Sequence, residues 1–314
     1  MAKRRIAQLN ALIAVDKPVG CTSHDVVARV RRAVNERRVG HAGTLDPLAS
    51  GVMVVGIGQA TRLLGMLTLD TKSYVAEIRF GSETSTDDAE GDVVRKAPCP
   101  DALFDRATVE EVLCGMLGPQ QQVPPAYSAI SVNGVRSYKR ARAGEDVELA
   151  ARPIEVRSAD LIALSTCDGV PVWTVAFTVS KGTYIRALAR DMGRVAGSAA
   201  HLSALRRTAS GCISLGACVP LDGLDVRTAC DHMIDPVKAL GVSAVELSER
   251  YRDDVLCGKR LSSSLAQTRD GRLLADGERC ALVTGGELVA LATVRGSALA
   301  PHDVFPQPIG GVRS

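Results

Sequence analysis

Aromatic residues make up only 3% of the 314-residue chain: one tryptophan, five tyrosines and four phenylalanines. With so few, each is a candidate for a particular task. No hydrophobic run approaches the roughly 20 residues that a membrane helix needs. The nine cysteines include no C-x-x-C pair and are odd in number, and the five histidines are scattered. That excludes zinc-ligand spacing and a full disulfide framework. A reduced, cytoplasmic protein is the expectation. The N-terminus Met1-Ala2-Lys3-Arg4-Arg5 is basic, but Ile6 to Ala14 is too short and interrupted for a signal-peptide core.

What is present is a hydrophobic fraction of 46%, enough for a sizeable core in one large or two smaller domains. A net charge of +3 and a pI near 8.4 permit a nucleic-acid partner without demanding one.

Along the chain, Leu12 to Val15 reads as a short strand, closed by the turn Asp16-Lys17-Pro18-Val19-Gly20. Thr22-Ser23 caps a helix expected over His24 to Glu36, with Val26, Val27, Val30 and Val34 as its apolar stripe. Gln59 to Leu67 reads as a short helix. Tyr74 to Phe80 alternates as a half-buried strand, followed by a polar, acidic loop over Gly81 to Gly91. Thr108 to Leu117 is helical, and Pro124-Pro125 opens a basic, loop-rich region running to about Pro153. Val172 to Val179 is a second alternating strand. A helix then starts near Thr183, with Ile185, Leu188, Met192 and Val195 as a core stripe and Arg186, Arg190 and Arg194 as a basic stripe beside it. Strands and helices without a regular βαβ repeat predict an α+β fold. A boundary between Asp235 and Ser248 separates a catalytic domain over 1–240 from a β-rich module over 245–314. The nine basic and nine acidic residues from Val245 onward give that module no charge bias toward phosphate.

The chemistry concentrates in Gly40-His41-Ala42-Gly43-Thr44-Leu45-Asp46-Pro47-Leu48-Ala49-Ser50-Gly51. One carboxylate stands between glycine-rich turns and a proline, directly before the buried-strand pattern Val52 to Ile57. Taken alone, an Asp-Pro pair there is either a turn whose aspartate bonds nearby backbone or a rigid presentation of a reactive acid. The whole string resembles the catalytic motif of the TruB family of tRNA pseudouridine synthases. Further segments resemble that family in the same order: Asp16 to Ser23, Lys72 to Ala76, Ser180 to Arg186, and His201 to Thr208. Together they span roughly residues 12–210.

The resemblance implies Asp46 as the nucleophile, and Lys17 with Pro18 as supports of its loop rather than catalysts. It implies Tyr74 as the ring packing on the target uracil, its hydroxyl helping to remove the C5 proton. As a strand residue, Tyr74 is equally a core aromatic, and the two roles are compatible. Arg186, which in isolation reads as a solvated surface residue, becomes the cationic partner of the aspartate. Tyr184 would help bind the flipped nucleotide, Leu205 close the uracil pocket, and His41 fill space near the displaced base. The basic cluster Arg136, Lys139, Arg140 and Arg142 is similar to the family's RNA-gripping insertion, expected over about 120–153. Ser131 stands where relatives often carry a lysine. Arg206 and Arg207 are candidates for phosphate contact or plain surface charge.

The implied fold is a pseudouridine synthase fold: a mixed, mainly antiparallel sheet flanked by helices, with a PUA-like C-terminal module. The implied activity is conversion of uridine 55 in the tRNA T-loop to pseudouridine on a flipped-out base. It needs no metal or organic cofactor. The implied partner is tRNA, engaged through its T-arm by a monomer with no protein partner. The alternative is an RNA-folding protein that binds tRNA and in which catalysis is secondary.

Overall fold

The computed structural model describes residues 7–67, 71–128, 130–132, 134–145 and 149–313. The principal elements are β1 (Ala11–Lys17), α1 (Ser23–Ala33), β2 (Val39–Ala42), β3 (Ala49–Ile57), β4 (Lys72–Phe80), α2 (Arg106–Gly115) and β5 (Gly118–Gln122). There follow β6 (Arg152–Cys167), β7 (Val170–Val179), α3 (Ile185–Val195), β8 (Ala200–Ser210) and β9 (Cys218–Pro220). The last strands are β10 (Ser243–Glu246), β11 (Leu261–Ser262), β12 (Arg279–Thr284), β13 (Glu287–Arg295) and β14 (Ala298–Ile309). The chain divides into two compact units. The first holds Met1–Pro47, Gly51–Leu69 and Ser210–Ser314; the second holds Leu48–Ser50 and Asp70–Ala209.

In the first unit, β1 is apolar on both faces, as a strand covered on both sides must be. Ala11, Ile13 and Val15 join the cluster containing Val26, Val27, Val30 and Val34 of α1. Each fully buried valine contributes roughly 1.5 kcal/mol or more. Leu12 and Ala14 point the other way, into a cluster with Ala281, Val283, Leu288, Leu291, Phe305 and Ile309 from the C-terminal strands. β1 pairs antiparallel with β3 and parallel with β9. The C-terminal strands make their own five-stranded sheet, in the order β10-β12-β13-β14-β11. Arg62 fastens one edge of it, donating to Asp303 at 3.0 Å and stacking 5.0 Å from the Phe305 ring centroid.

α1 is shorter than its sequence pattern. Thr22 caps it in a reciprocal box with Asp25. It ends at Ala33, because Asn35 turns left-handed at φ 48° and cannot continue a helix. The Gln59 to Leu67 segment is helical but begins as a 3₁₀ turn over Gly58–Leu63 before one α turn over Leu64–Leu67.

In the second unit, β7 pairs antiparallel with β4 and with β6, and β6 with β5. Alternation holds as expected. Tyr74, Ala76, Ile78 and Phe80 of β4 and Trp173, Val175, Phe177 and Val179 of β7 are all buried. Phe177 lies opposite Tyr74 in the ladder. The sole tryptophan donates its indole N–H to Leu103 O at 3.0 Å and packs 4.2 Å from the Phe80 ring. The fold is α+β, with mixed and mainly antiparallel strands and a β-rich C-terminal module.

Candidate active site

The Asp46 loop joins β2 to β3, which pair as an antiparallel hairpin. The loop is clamped on both sides of its aspartate. The Ser23 hydroxyl both accepts from Leu45 N and donates to Leu45 O, each at 2.9 Å. Gly20 N donates to Pro47 O at 2.9 Å. Lys17, fully buried, adds its ammonium to Pro47 O at 3.4 Å and to Pro18 O at 3.0 Å. The segment read as a strand-ending turn therefore continues the strand through Lys17 and then grips the neighbouring loop. The backbone of both neighbours is fixed, so the half-buried Asp46 side chain is presented from a rigid base. Gly43, at φ 84°, allows the sharp exit from β2. His41 meets the His24 ring edge-on, with centroids 6.1 Å apart.

Tyr74, Tyr184, Arg186 and Leu205 belong to the second unit, whereas His41 and Asp46 belong to the first. Tyr74 is 7% exposed on β4. Tyr184 and Leu205 are half-buried. Arg186 opens α3 and is 5% exposed. Its guanidinium donates to Thr86 O at 2.8 Å and Tyr127 O at 3.0 Å, and its Nε lies 3.5 Å from Asp88 Oδ2.

Arg186 and Arg190 of the α3 arginine stripe are therefore not solvated, whereas Arg194 is exposed while still paired. Arg190 bonds Asp87 at 2.8 Å, Asp191 at 2.9 Å and Val123 O at 2.9 Å. Arg194 forks onto both oxygens of Glu83 at 3.0 and 2.8 Å. The acidic stretch after Gly81 is correspondingly not a free surface loop. Glu83, Thr84, Asp87 and Asp88 are buried, and Ser82–Thr84 forms a short strand with Val93–Lys96. Charges of opposite sign, about a hundred residues apart, neutralise each other inside the fold. Val195, assigned by periodicity to the core stripe, is 67% exposed because the helix ends there.

A model of the TruB family pseudouridylate synthase N-terminal domain matches residues 31–185, and one of the tRNA pseudouridylate synthase B C-terminal domain matches 186–240. The tRNA pseudouridine synthase B of Paenarthrobacter aurescens (strain TC1) is 44% identical over 299 residues, covering 95% of each chain. The chain belongs to the TruB family of pseudouridylate synthases. The enzyme of the same name from Mycobacteroides abscessus is 50% identical to this TruB-family chain over 229 residues, covering 70% of it and 76% of the relative. Among solved structures, a chain of an H/ACA RNP bound to a substrate RNA containing 2'-deoxyuridine shares the fold, with TM-score 0.67 and 24% identity. That match covers 96% of this chain and 88% of the other. A chain of a Cbf5-Nop10-Gar1 complex matches with TM-score 0.65 at 26% identity. Family membership makes this TruB-family protein an enzyme of the isomerase class.

Of the RNA-backbone candidates in this TruB-family protein, Arg207 is corrected: it is 0% exposed, so the folded structure closes it to phosphate. Arg206 is half-buried and donates to Ser50 Oγ at 3.2 Å. Arg140 pairs with Glu145 at 2.6 Å. Arg136 lies in a strand pair at Val135–Arg136, and Lys139 and Arg142 lie in the helix Ser137–Arg142. The side chains of those three are outside the described residues.

Sequence reasoning missed Ser23, Gln122 and the acids Asp87 and Asp88. The signal for the acids was present as three arginines at four-residue spacing and an acid-rich segment of matching charge. Burial raises the Asp87 carboxyl to about 6, against the opposing pull of Arg190 and Arg186. The folded protein thus holds this proton more tightly than the unfolded chain. The stabilising contribution is complete below about pH 4 and is lost as pH rises through about 6. A shift of about two units corresponds to roughly 3 kcal/mol at most. Asp87→Asn is expected to flatten the fall in folding stability between about pH 4 and pH 7, read from urea melts at each pH. An unchanged slope would assign that titration elsewhere.

Proposed function

We propose that the protein converts uridine 55 in the T-loop of tRNA to pseudouridine, with Asp46 as the nucleophile on a flipped-out base. The observation that carries this reading is the double clamp on Leu45 and Pro47, which presents one acid from a rigid loop inside a motif of the family. The reaction breaks the N1–C1′ bond, turns the uracil, and forms a C5–C1′ bond. The proton lost from C5 is matched by one gained at N1, so nothing else is consumed. Unstacking the base costs a few kcal/mol. Tyr74 and Leu205 are the side chains assigned to offset it, with Tyr184 and His41 assisting. Arg186 is assigned to keep the carboxylate ionised.

The direct test uses the wild-type chain and an unmodified tRNA transcript carrying tritium at uracil C5. Tritium release from the normal transcript, and none attributable to position 55 when that uridine is replaced by cytidine, is the expected result. Release that is independent of position 55 would overturn the target assignment. Tight tRNA binding without any release would favour an RNA-folding role.

A further inference from the structure

Gln122, the last residue of β5, is 2% exposed and has both polar atoms committed to one distant residue. Its Oε1 accepts from Tyr184 N at 2.9 Å and its Nε2 donates to Tyr184 O at 3.1 Å. The side chain thus pairs with the backbone of a residue 62 positions away, much as a neighbouring strand would. Tyr184 is the N-cap of α3 but supplies no side-chain cap of its own. Its carbonyl already takes the first helical bond, from Leu188 N at 3.1 Å. An amide presents a coplanar donor and acceptor, which is what holding the N–H and C=O of one extended residue requires.

The chain following Gln122 is tied to the same helix twice more. Val123 O accepts from Arg190 and Tyr127 O accepts from Arg186. The stretch 122–127 is therefore laced onto α3 at three points, where the basic, loop-rich region of the chain begins. Turning the Tyr184 peptide would swing the Tyr184 ring and, two residues on, the Arg186 fork.

We propose that Gln122 is a positioning residue: its two-bond clasp on Tyr184 sets the start of α3, and through it the placement of the Tyr184 ring and the Arg186 guanidinium during turnover. This rests on the function proposed above. It acts through Tyr184 and Arg186 and does not itself touch the uracil.

The test compares full-length wild type, Gln122→Met and Gln122→Glu on the tritiated tRNA transcript. Methionine keeps the length and apolar packing and deletes both bonds. Single-turnover release is expected to slow about 10- to 100-fold, in line with the cost of a misplacement on the ångström scale. RNA affinity is expected to stay within about threefold. In Gln122→Glu the ionised carboxylate still accepts from Tyr184 N but faces the Tyr184 carbonyl without a donor. Burial and that carbonyl both favour its protonated form. The ratio of Gln122→Glu to wild-type rate is therefore expected to climb as pH is lowered from about 8 to about 6, because the protonated acid regains the donor. A role limited to packing would leave that ratio flat. A wild-type rate in Gln122→Met, or a pH-independent ratio in Gln122→Glu, would overturn the proposal. If Gln122→Met does not fold, the ratio alone decides. No release by wild type would defeat the underlying function, a result distinct from a normal wild type with unaffected variants.

Discussion

Asp46→Asn is expected to abolish tritium release from C5-labelled tRNA while leaving tRNA binding within about threefold. Asparagine has the same shape and keeps a carbonyl oxygen, so the clamp through Ser23, Gly20 and Lys17, which acts on the backbone of Leu45 and Pro47, is untouched. What is lost is the anionic oxygen. An amide is neither a competent nucleophile nor a base at neutral pH. Single-turnover release is expected to fall at least roughly 1,000-fold, since removing a nucleophile can cost up to about a million-fold. The binding control separates this result from a loop that has come apart, which would weaken RNA binding and release together. Release within tenfold of wild type would remove Asp46 from the chemistry and return its loop to a structural role.

The second large effect is expected at Arg186. Its fork reaches two carbonyls, Thr86 O and Tyr127 O, with Asp88 beside Nε, in a site where the arginine is 5% exposed. Lysine keeps the charge but places three donors on one atom, and it cannot span acceptors arranged around a planar fork. A fully buried acceptor left without a donor costs about 1–3 kcal/mol, an upper bound for these half-buried carbonyls. Arg186→Lys is expected to lose at most about that much stability in urea melts and at least about 100-fold in single-turnover rate. Arg186→Met removes the cationic neighbour of the buried Asp88 and is expected to cost about 3–5 kcal/mol. A lysine variant with wild-type turnover would show that positive charge, and not the fork, is what the position supplies.

The elements that rest on local pattern were legible in the sequence. The valine stripe of α1 and the alternation of β4 and β7 predict the buried faces found in the structure. The order of the motifs carried the family. What stayed hidden was which charges would meet. Arg186, Arg190 and Arg194 fall on one helical face whether that face meets water or acid. Only the return of the 83–88 segment onto α3, about a hundred residues away in sequence, decides between the two. Arg207 was misread for the same reason: of two adjacent arginines in an eleven-residue strand, nothing local tells which has closed surroundings. The Gln122 clasp was invisible because glutamine on an edge strand is ordinary, and its partners are backbone atoms that no residue type announces.

The shared core of the first unit also governs how the chain comes off the ribosome. The second unit is almost continuous in sequence, over Asp70–Ala209, and its strands and helices are complete once that stretch has emerged. The first unit is not. Leu12, Val52 and Val54 emerge early, but the side chains that cover them include Leu288, Phe305 and Ile309 from β13 and β14, more than 200 residues later. At about 5–20 residues per second, roughly ten to fifty seconds of synthesis separate β3 from the strands that bury its face. Through that interval the hairpin carrying Asp46 has an uncovered apolar flank. The Asp46 hairpin therefore reaches its final setting only after β13 and β14 have emerged, and a nascent chain arrested before Phe305 would hold a finished second unit and an unfinished first.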